Sequence, residues 1–191
     1  NVGVWSLLDA MVRLFPSPSE RGVTHSWYGI QPETPDGCER KGTVEEPFSA
    51  YVFKTIIDPF VGRLSYCRVV SGSIHADSTV LNASTHVREK LGHFYRVLGK
   101  RHVAVDSVKA GDIVAMAKLK DTHTGDTLSH EGNPICYPGL GLPKPILSYA
   151  IEAKSKADID KVSLGLHKLI EEDPTLEFSR NEETKEMVLS G

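Results

Sequence analysis

Asp58-Pro59-Phe60-Val61-Gly62-Arg63-Leu64-Ser65-Tyr66-Cys67-Arg68-Val69-Val70-Ser71-Gly72 joins a turn to a strand-forming run, and the rest of the chain is organised around it. An apolar run from Phe48 to Ile57 precedes it, and a second turn at His75-Ala76-Asp77 follows. Proline fixes φ and cannot donate to a ladder, so Asp58-Pro59 opens a turn. Gly62 supplies a conformation that residues with side chains resist. From Arg63 to Val70 the chain is rich in β-branched and aromatic residues, the composition of a strand. Two strands around a short loop make a hairpin, onto which the later strands must pair. Working outward, strands are predicted at 48–57, 63–71, 78–82, 87–98, 102–105, 112–119 and 126–130, punctuated by Gly72, Gly99, Gly111, Gly125 and Gly132. Many short strands with regular turns predict a closed antiparallel β-barrel over 47–143, closure being the way such a sheet removes its edges.

Pro138-Gly139-Leu140-Gly141-Leu142-Pro143 marks a boundary, and beyond it the period changes. Leu147, Tyr149 and Ile151 alternate as a strand; Ile159, Val162, Leu166 and Leu169 fit one face of a helix over about 156–172, which Asp173-Pro174 ends. Leu176 and Phe178 suggest a strand, and Met187 to Leu189 its hairpin partner. This β-α-β-β order over 144–191 is that of an incomplete ferredoxin-like unit, so the fold class is mainly β with an α+β part. At the other end, Val4, Leu7, Leu8, Met11, Val12 and Phe15 recur at helical spacing until Pro16. Read alone, this is an N-terminal helix docked on the barrel. Residues 19–46, rich in Gly, Pro, Thr and charge, read as a linker pinned at most by Trp27-Tyr28.

The 191 residues carry a net charge of −3, unevenly spread. Residues 1–44 are at −1, residues 45–145 at +2 with six of the eight histidines, and residues 146–191 at −4. No segment is basic enough for a free-standing nucleic-acid binder. No apolar run approaches ~18 residues, so a membrane span is not expected. Cys38, Cys67 and Cys136 are odd in number and far apart, with neither disulfide-framework nor zinc spacing, and read as reduced thiols of a cytoplasmic protein. Asn1 in place of an initiator methionine suggests a piece of a longer chain, with no signal peptide visible.

The histidines show no i, i+4 helical pair and no Cys/His knuckle, so no metal site is predicted. Ser71, Ser73 and Ser129 sit in turns without a nucleophile-elbow pattern. There is no Gly-x4-Gly-Lys-Ser/Thr, and Gly139-Leu140-Gly141 is too short and too proline-flanked to cradle phosphates. No catalytic or cofactor-binding residue is therefore named. Thr122-His123-Thr124-Gly125-Asp126-Thr127 is a tight turn. The one chemical concentration is basic: Arg88, Lys90, Arg96, Lys100 and Arg101, gathered around Gly99. Phosphate recognition needs cations near a backbone that can approach closely, which Gly99-Lys100-Arg101-His102 offers. A solubilising face is the alternative.

Ala50-Tyr51-Val52-Phe53-Lys54-Thr55, Asp58-Pro59-Phe60-Val61-Gly62-Arg63-Leu64-Ser65 and Arg68-Val69-Val70-Ser71-Gly72 together resemble the start of the second domain of bacterial elongation factor G. Ala110-Gly111-Asp112-Ile113, Thr124-Gly125-Asp126-Thr127-Leu128 and Lys154-Ser155-Lys156-Ala157-Asp158 stand in the family's order, covering roughly 47–175. Pro16-Ser17-Pro18 looks like the end of the family's GTPase domain, which makes 1–18 the last helix of that domain and 19–46 a linker. The resemblance implies a parent that uses GTP and magnesium to drive tRNA–mRNA translocation. This piece, lacking the GTPase motifs, is then a non-catalytic scaffold on small-subunit ribosomal RNA, with the five basic residues as its contacts. Lys118 departs from the family's main form, which usually has glycine there. With Asp77-Ser78-Thr79-Val80 it looks more like the paralogues, which act in ribosome recycling or protection. From another class, a self-contained β-barrel adaptor for a protein partner stands as the rival. An incomplete third unit also implies an uncovered apolar face through which the piece self-associates.

Overall fold

The computed structural model describes residues 2–32, 34–58, 61–99, 101–155, 158–181, 184 and 186–191, without the side chains of 34 and 35. The predicted hairpin is present. Strands β3 (Ser49–Asp58) and β4 (Gly62–Ser71) pair antiparallel from Ser49↔Ser71 to Asp58↔Gly62. The Asp58 carboxylate accepts the Val61 N–H at 2.9 Å and Gly62 has φ 83°, so the turn chemistry closes the loop as its residues dictate. Later strands are shorter than predicted: β5 (Ser73–His75), β6 (Thr79–Asn82), β7 (Val87–Lys90), β8 (Phe94–Leu98), β9 (Arg101–Val105), β10 (Ser107–Lys109), β11 (Ile113–Ala117) and β12 (Thr127–Ser129). The single run predicted at 87–98 is two strands, broken at 91–93.

The closed barrel is not what the pairing shows. Eight strands form an open sheet in the order β7-β6-β12-β3-β4-β11-β8-β9, and β10 pairs with β5 separately. Yet β7 stands first and β8 seventh, and only Leu91-Gly92-His93 joins them. Four Cα steps span at most ~14 Å, so the sheet curls until its ends are near one another. The seam is filled by that crossing chain instead of a ladder. Leu91 is fully buried, and a Cβ on Gly92 would lie 2.6 Å from the Ala117 carbonyl oxygen. The N–H groups of Lys120 and Asp121 donate to the buried Glu89 carboxylate at 3.0 and 2.6 Å. A side chain thus takes donors that a closing strand would otherwise need. Inside the curl lies one apolar core that includes Phe48, Val52, Val69, Leu91, Phe94 and Leu128.

Residues 19–46 are not a linker loop. Helix α2 (Pro18–Thr24) starts on a capping box in which Ser17 and Glu20 exchange bonds, with Pro18 in its first turn. Strands β1 (Ser26–Gln31) and β2 (Thr34–Lys41) pair antiparallel. The hairpin is held from far along the chain: buried Arg40 donates to the carbonyl of Asn133 at 3.0 Å, and Ile30 and Cys136 exchange backbone bonds at 2.9 and 2.8 Å. A side chain at Gly22 would collide with the Gly42 carbonyl, so α2 lies tight against the chain just after β2. Helix α1 (Val4–Leu14) forms as its spacing predicts, but it does not dock: none of its residues is buried.

The last unit has strand β13 (Ser148–Ile151), helix α3 (Ile159–Glu172), strand β14 (Glu177–Arg180) and strand β15 (Met187–Ser190), with sheet order β13-β15-β14. Tyr149, Leu189 and Phe178 line up across the three strands. Phe178 meets His167 of α3 edge-on at 5.4 Å, so α3 lies over the β14 end of that row. Two contacts tie α3 to the large sheet. Glu172 accepts the Ile57 N–H at 2.7 Å, and Glu171 approaches Arg63 at 3.9 Å. No helix among the described residues is long and apolar enough to cross a membrane.

Candidate nucleic-acid interface

The five basic residues do not form one cluster. Arg88 and Lys90 lie on β7, Arg96 on β8 and Arg101 on β9; Lys100 lies outside the described residues. Arg88 is engaged by the Glu131 carboxylate, which lowers its availability to an external phosphate. Lys90 is exposed, with no ion pair among the described residues.

The β8–β9 ribbon brings Arg96 and Arg101 together. Arg96 stands opposite Val103 and Leu98 opposite Arg101, so all four project on one face. The two arginines are diagonal neighbours there, a relation that places Cβ atoms about 7–8 Å apart. The same face begins at Phe94, paired with Val105 and sunk in the core. The opposite face carries Tyr95 and Val97 onto Leu64, Ala115 and Ala117. The ribbon is thus rooted in packed apolar residues at one end and presents two exposed guanidinium groups, with exposed Leu98 and Val103, at the other. Neither arginine has a carboxylate partner among the described residues. Such a face offers planar, multidentate donors to phosphate oxygens.

Sequence reasoning missed two lysines. The 118–126 loop is tied down by Glu89, by Asn82, whose amide donates to the Asp126 carboxylate at 2.9 Å, and by Arg63, which donates to the Thr122 carbonyl at 2.7 Å. Gly125, at φ 100°, forms the predicted tight turn with Asp126 accepting the His123 N–H at 2.8 Å. Lys118 and Lys120 are left exposed beside the seam, next to β7. Lys118 has φ 66°, a conformation that only glycine takes without strain, and it is the position where the resemblance expects glycine.

Gly139 and Gly141 are not followed by a helix start, and no three His, Cys, Asp or Glu side chains gather among the described residues.

A family model for elongation factor G domain 2 matches residues 47–131, and one for elongation factor G domain III matches 142–191. An elongation factor G of Amoebophilus asiaticus (strain 5a2) is 42% identical over all 191 residues, which span 26% of that protein. A crystal structure from Thermus thermophilus superposes with a TM-score of 0.73 at 30% identity, over 99% of this chain and 26% of that one. The chain therefore spans about a quarter of the length of the relatives it matches. Its large curled sheet is a domain of the elongation factor G second-domain type. With two successive domain models of one family covering most of its length, the chain belongs to the elongation factor G family.

Proposed function

We propose that this chain is a ribosome-contacting, non-catalytic part of a translational GTPase that promotes GTP-dependent tRNA–mRNA translocation. The observation that carries the reading is the pair Arg96 and Arg101 on one ribbon face, rooted in the core and free of carboxylate partners among the described residues. Lys90, Lys118 and Lys120 extend the positive surface along the seam, and Lys100 belongs to the same proposed set. Small-subunit ribosomal RNA is the partner, since phosphates on a folded surface are what such spaced cations recognise. GTP and magnesium act elsewhere in the parent protein, and the compartment is the cytoplasm.

The test is binding of the chain to ribosomes as a function of salt, for the wild type and for the Arg96→Gln/Arg101→Gln double variant. Removing one cation from a phosphate should flatten the log–log salt slope by about 0.7–0.9, so the double variant should flatten it by roughly twice that. Unchanged slope and affinity would reduce the ribbon to a solubilising face.

A further inference from the structure

A groove of about 820 Å³ opens on the outer face of the large sheet, away from the basic ribbon. Its floor is the row Tyr51, Arg68 and Ile113, which stand directly opposite one another on β3, β4 and β11. Trp27 and Tyr28 of β1 form one wall, and the segment 138–141 the other. Ile113 is 57% exposed and Tyr28 68% exposed, so apolar and aromatic surface is open to water here.

Two polar features inside the groove lack partners among the described residues. The Arg68 guanidinium lies over the Trp27 ring at 5.2 Å and makes no hydrogen bond or ion pair among the described residues. Arginine is the one charged side chain of the lining apart from the titratable His25, and no carboxylate lines it. The second feature is a strand edge. Ile30 exchanges both backbone bonds with Cys136, so Tyr28 and Ser26, in the same phase of the strand, aim N–H and C=O at the same side. Two residues beyond Cys136 the register brings Pro138 opposite Tyr28, and proline has no N–H to give. The ladder stops there, the chain diverges, and the β1 edge is left bare within the groove.

We propose that this groove docks an extended acidic–aromatic peptide segment of a protein partner, by strand addition to β1 at Ser26 and Tyr28, with a carboxylate on Arg68 and an apolar side chain on Ile113 and Tyr51. Unpaired strand edges take peptide strands, alternate side chains giving specificity. A carboxylate supplies the bidentate acceptor that a stacked guanidinium lacks. An RNA strand fits less well: it offers no main-chain donors and acceptors of strand spacing, and one arginine does not offset a phosphate per nucleotide.

Calorimetry and amide-shift mapping of the 191-residue chain against the capped peptide Ac-Val-Glu-Phe-Glu-Val-Asp-NH2 test this. The peptide should bind, with shifts centred on Ser26, Tyr28, Arg68 and Ile113. Arg68→Gln should weaken it about tenfold, the loss of one charge-assisted hydrogen bond, while leaving a Gln/Asn version of the peptide unaffected. Ile113→Glu, a surface change that leaves folding intact, should abolish binding, as should N-methylation of alternate peptide amides. If Arg68→Gln does not fold, Ile113→Glu and the N-methylated peptide decide. No binding of the acidic peptide, binding indifferent to N-methylation, or hexauridylate shifting the same residues in its place would each overturn the proposal. So would a second copy of the chain filling the groove in sedimentation.

Discussion

Lys118 holds a left-handed backbone conformation with φ 66°. For a residue with a Cβ this costs about 1–2 kcal/mol. Replacing it by glycine relieves that strain but adds about 0.5–1 kcal/mol of unfolded-chain freedom. Lys118→Gly should therefore raise stability by up to about 1.5 kcal/mol in urea unfolding while weakening ribosome binding. A loss of stability would show that the strain is not real. Tyr137 carries a second prediction. Its hydroxyl meets Ser49 at 2.7 Å, Ser49 meets Ser71 at 2.6 Å, and Ser71 donates to the Pro47 carbonyl at 2.7 Å. Only one direction of donation satisfies all three hydroxyls, with Tyr137 giving its proton to Ser49. Burial, partly countered by the Ser49 hydrogen bond, pushes the Tyr137 phenol up to about 12. A folded-state value above the unfolded one means that its stabilisation is complete below the unfolded value near 10 and is lost as pH rises through the folded one. Tyr137→Phe should cost about 1 kcal/mol at pH 8. That gap should close between about pH 10 and 12; a gap constant with pH would disprove the assignment.

Among the elements, strand β4 and helix α3 make the sharpest contrast. β4 lies between β3 and β11 and buries Leu64, Cys67, Val69 and Val70. α3 covers only part of a three-stranded sheet, and Leu166 is its one buried residue. Leu169 and Glu172 lie beside Ile57 of β3, so the helix divides its packing between two neighbours. Tyr149 of β13 is 69% exposed, and Leu147 and Ile146 are also left in water. Uncovered side chains of this size forgo about 1.5–3 kcal/mol each. Amides of Ile159–Glu172 should exchange faster than those of Gly62–Ser71 in a monomer. Equal protection at every concentration, with sedimentation showing a monomer throughout, would refute this. Protection that rises with concentration would mean a second copy covers the face.

Across the whole molecule, the parts are joined by few direct bonds: Glu171 and Glu172 of α3 reach Arg63 and Ile57 at the turn end of the first hairpin. The basic ribbon, the aromatic groove and the exposed stripe of α1 are separate surfaces on one scaffold. Calorimetric titration of the chain with GTP and magnesium should give no heat beyond dilution, and a micromolar site would contradict the reading of a non-catalytic part.

Local chemistry was enough for the β3–β4 hairpin, because Asp58 and Gly62 close its turn and period-two apolar residues face the core. It was enough also for α1 and α3, whose 3.6-residue apolar spacing is independent of what they touch. The order of the β1–β2 hairpin was not legible, because composition in 19–46 is that of a loop and the stabilising groups lie far off, Arg40 reaching Asn133 and Ile30 reaching Cys136. Closure of the barrel was not legible for a related reason. Strand count is local, whereas the seam is decided by Glu89 capturing the N–H groups of Lys120 and Asp121. The same holds for the basic residues: their presence near Gly99 is written in the chain. Which remain available is set by tertiary pairing, which gives Arg88 to Glu131 and leaves Arg96 and Arg101 side by side. The elements can be read along the chain, since periodicity and turn chemistry act between near neighbours. The seam, the exposed edge of β1 and the exposure of the cations arise on folding, since each depends on groups dozens of residues apart.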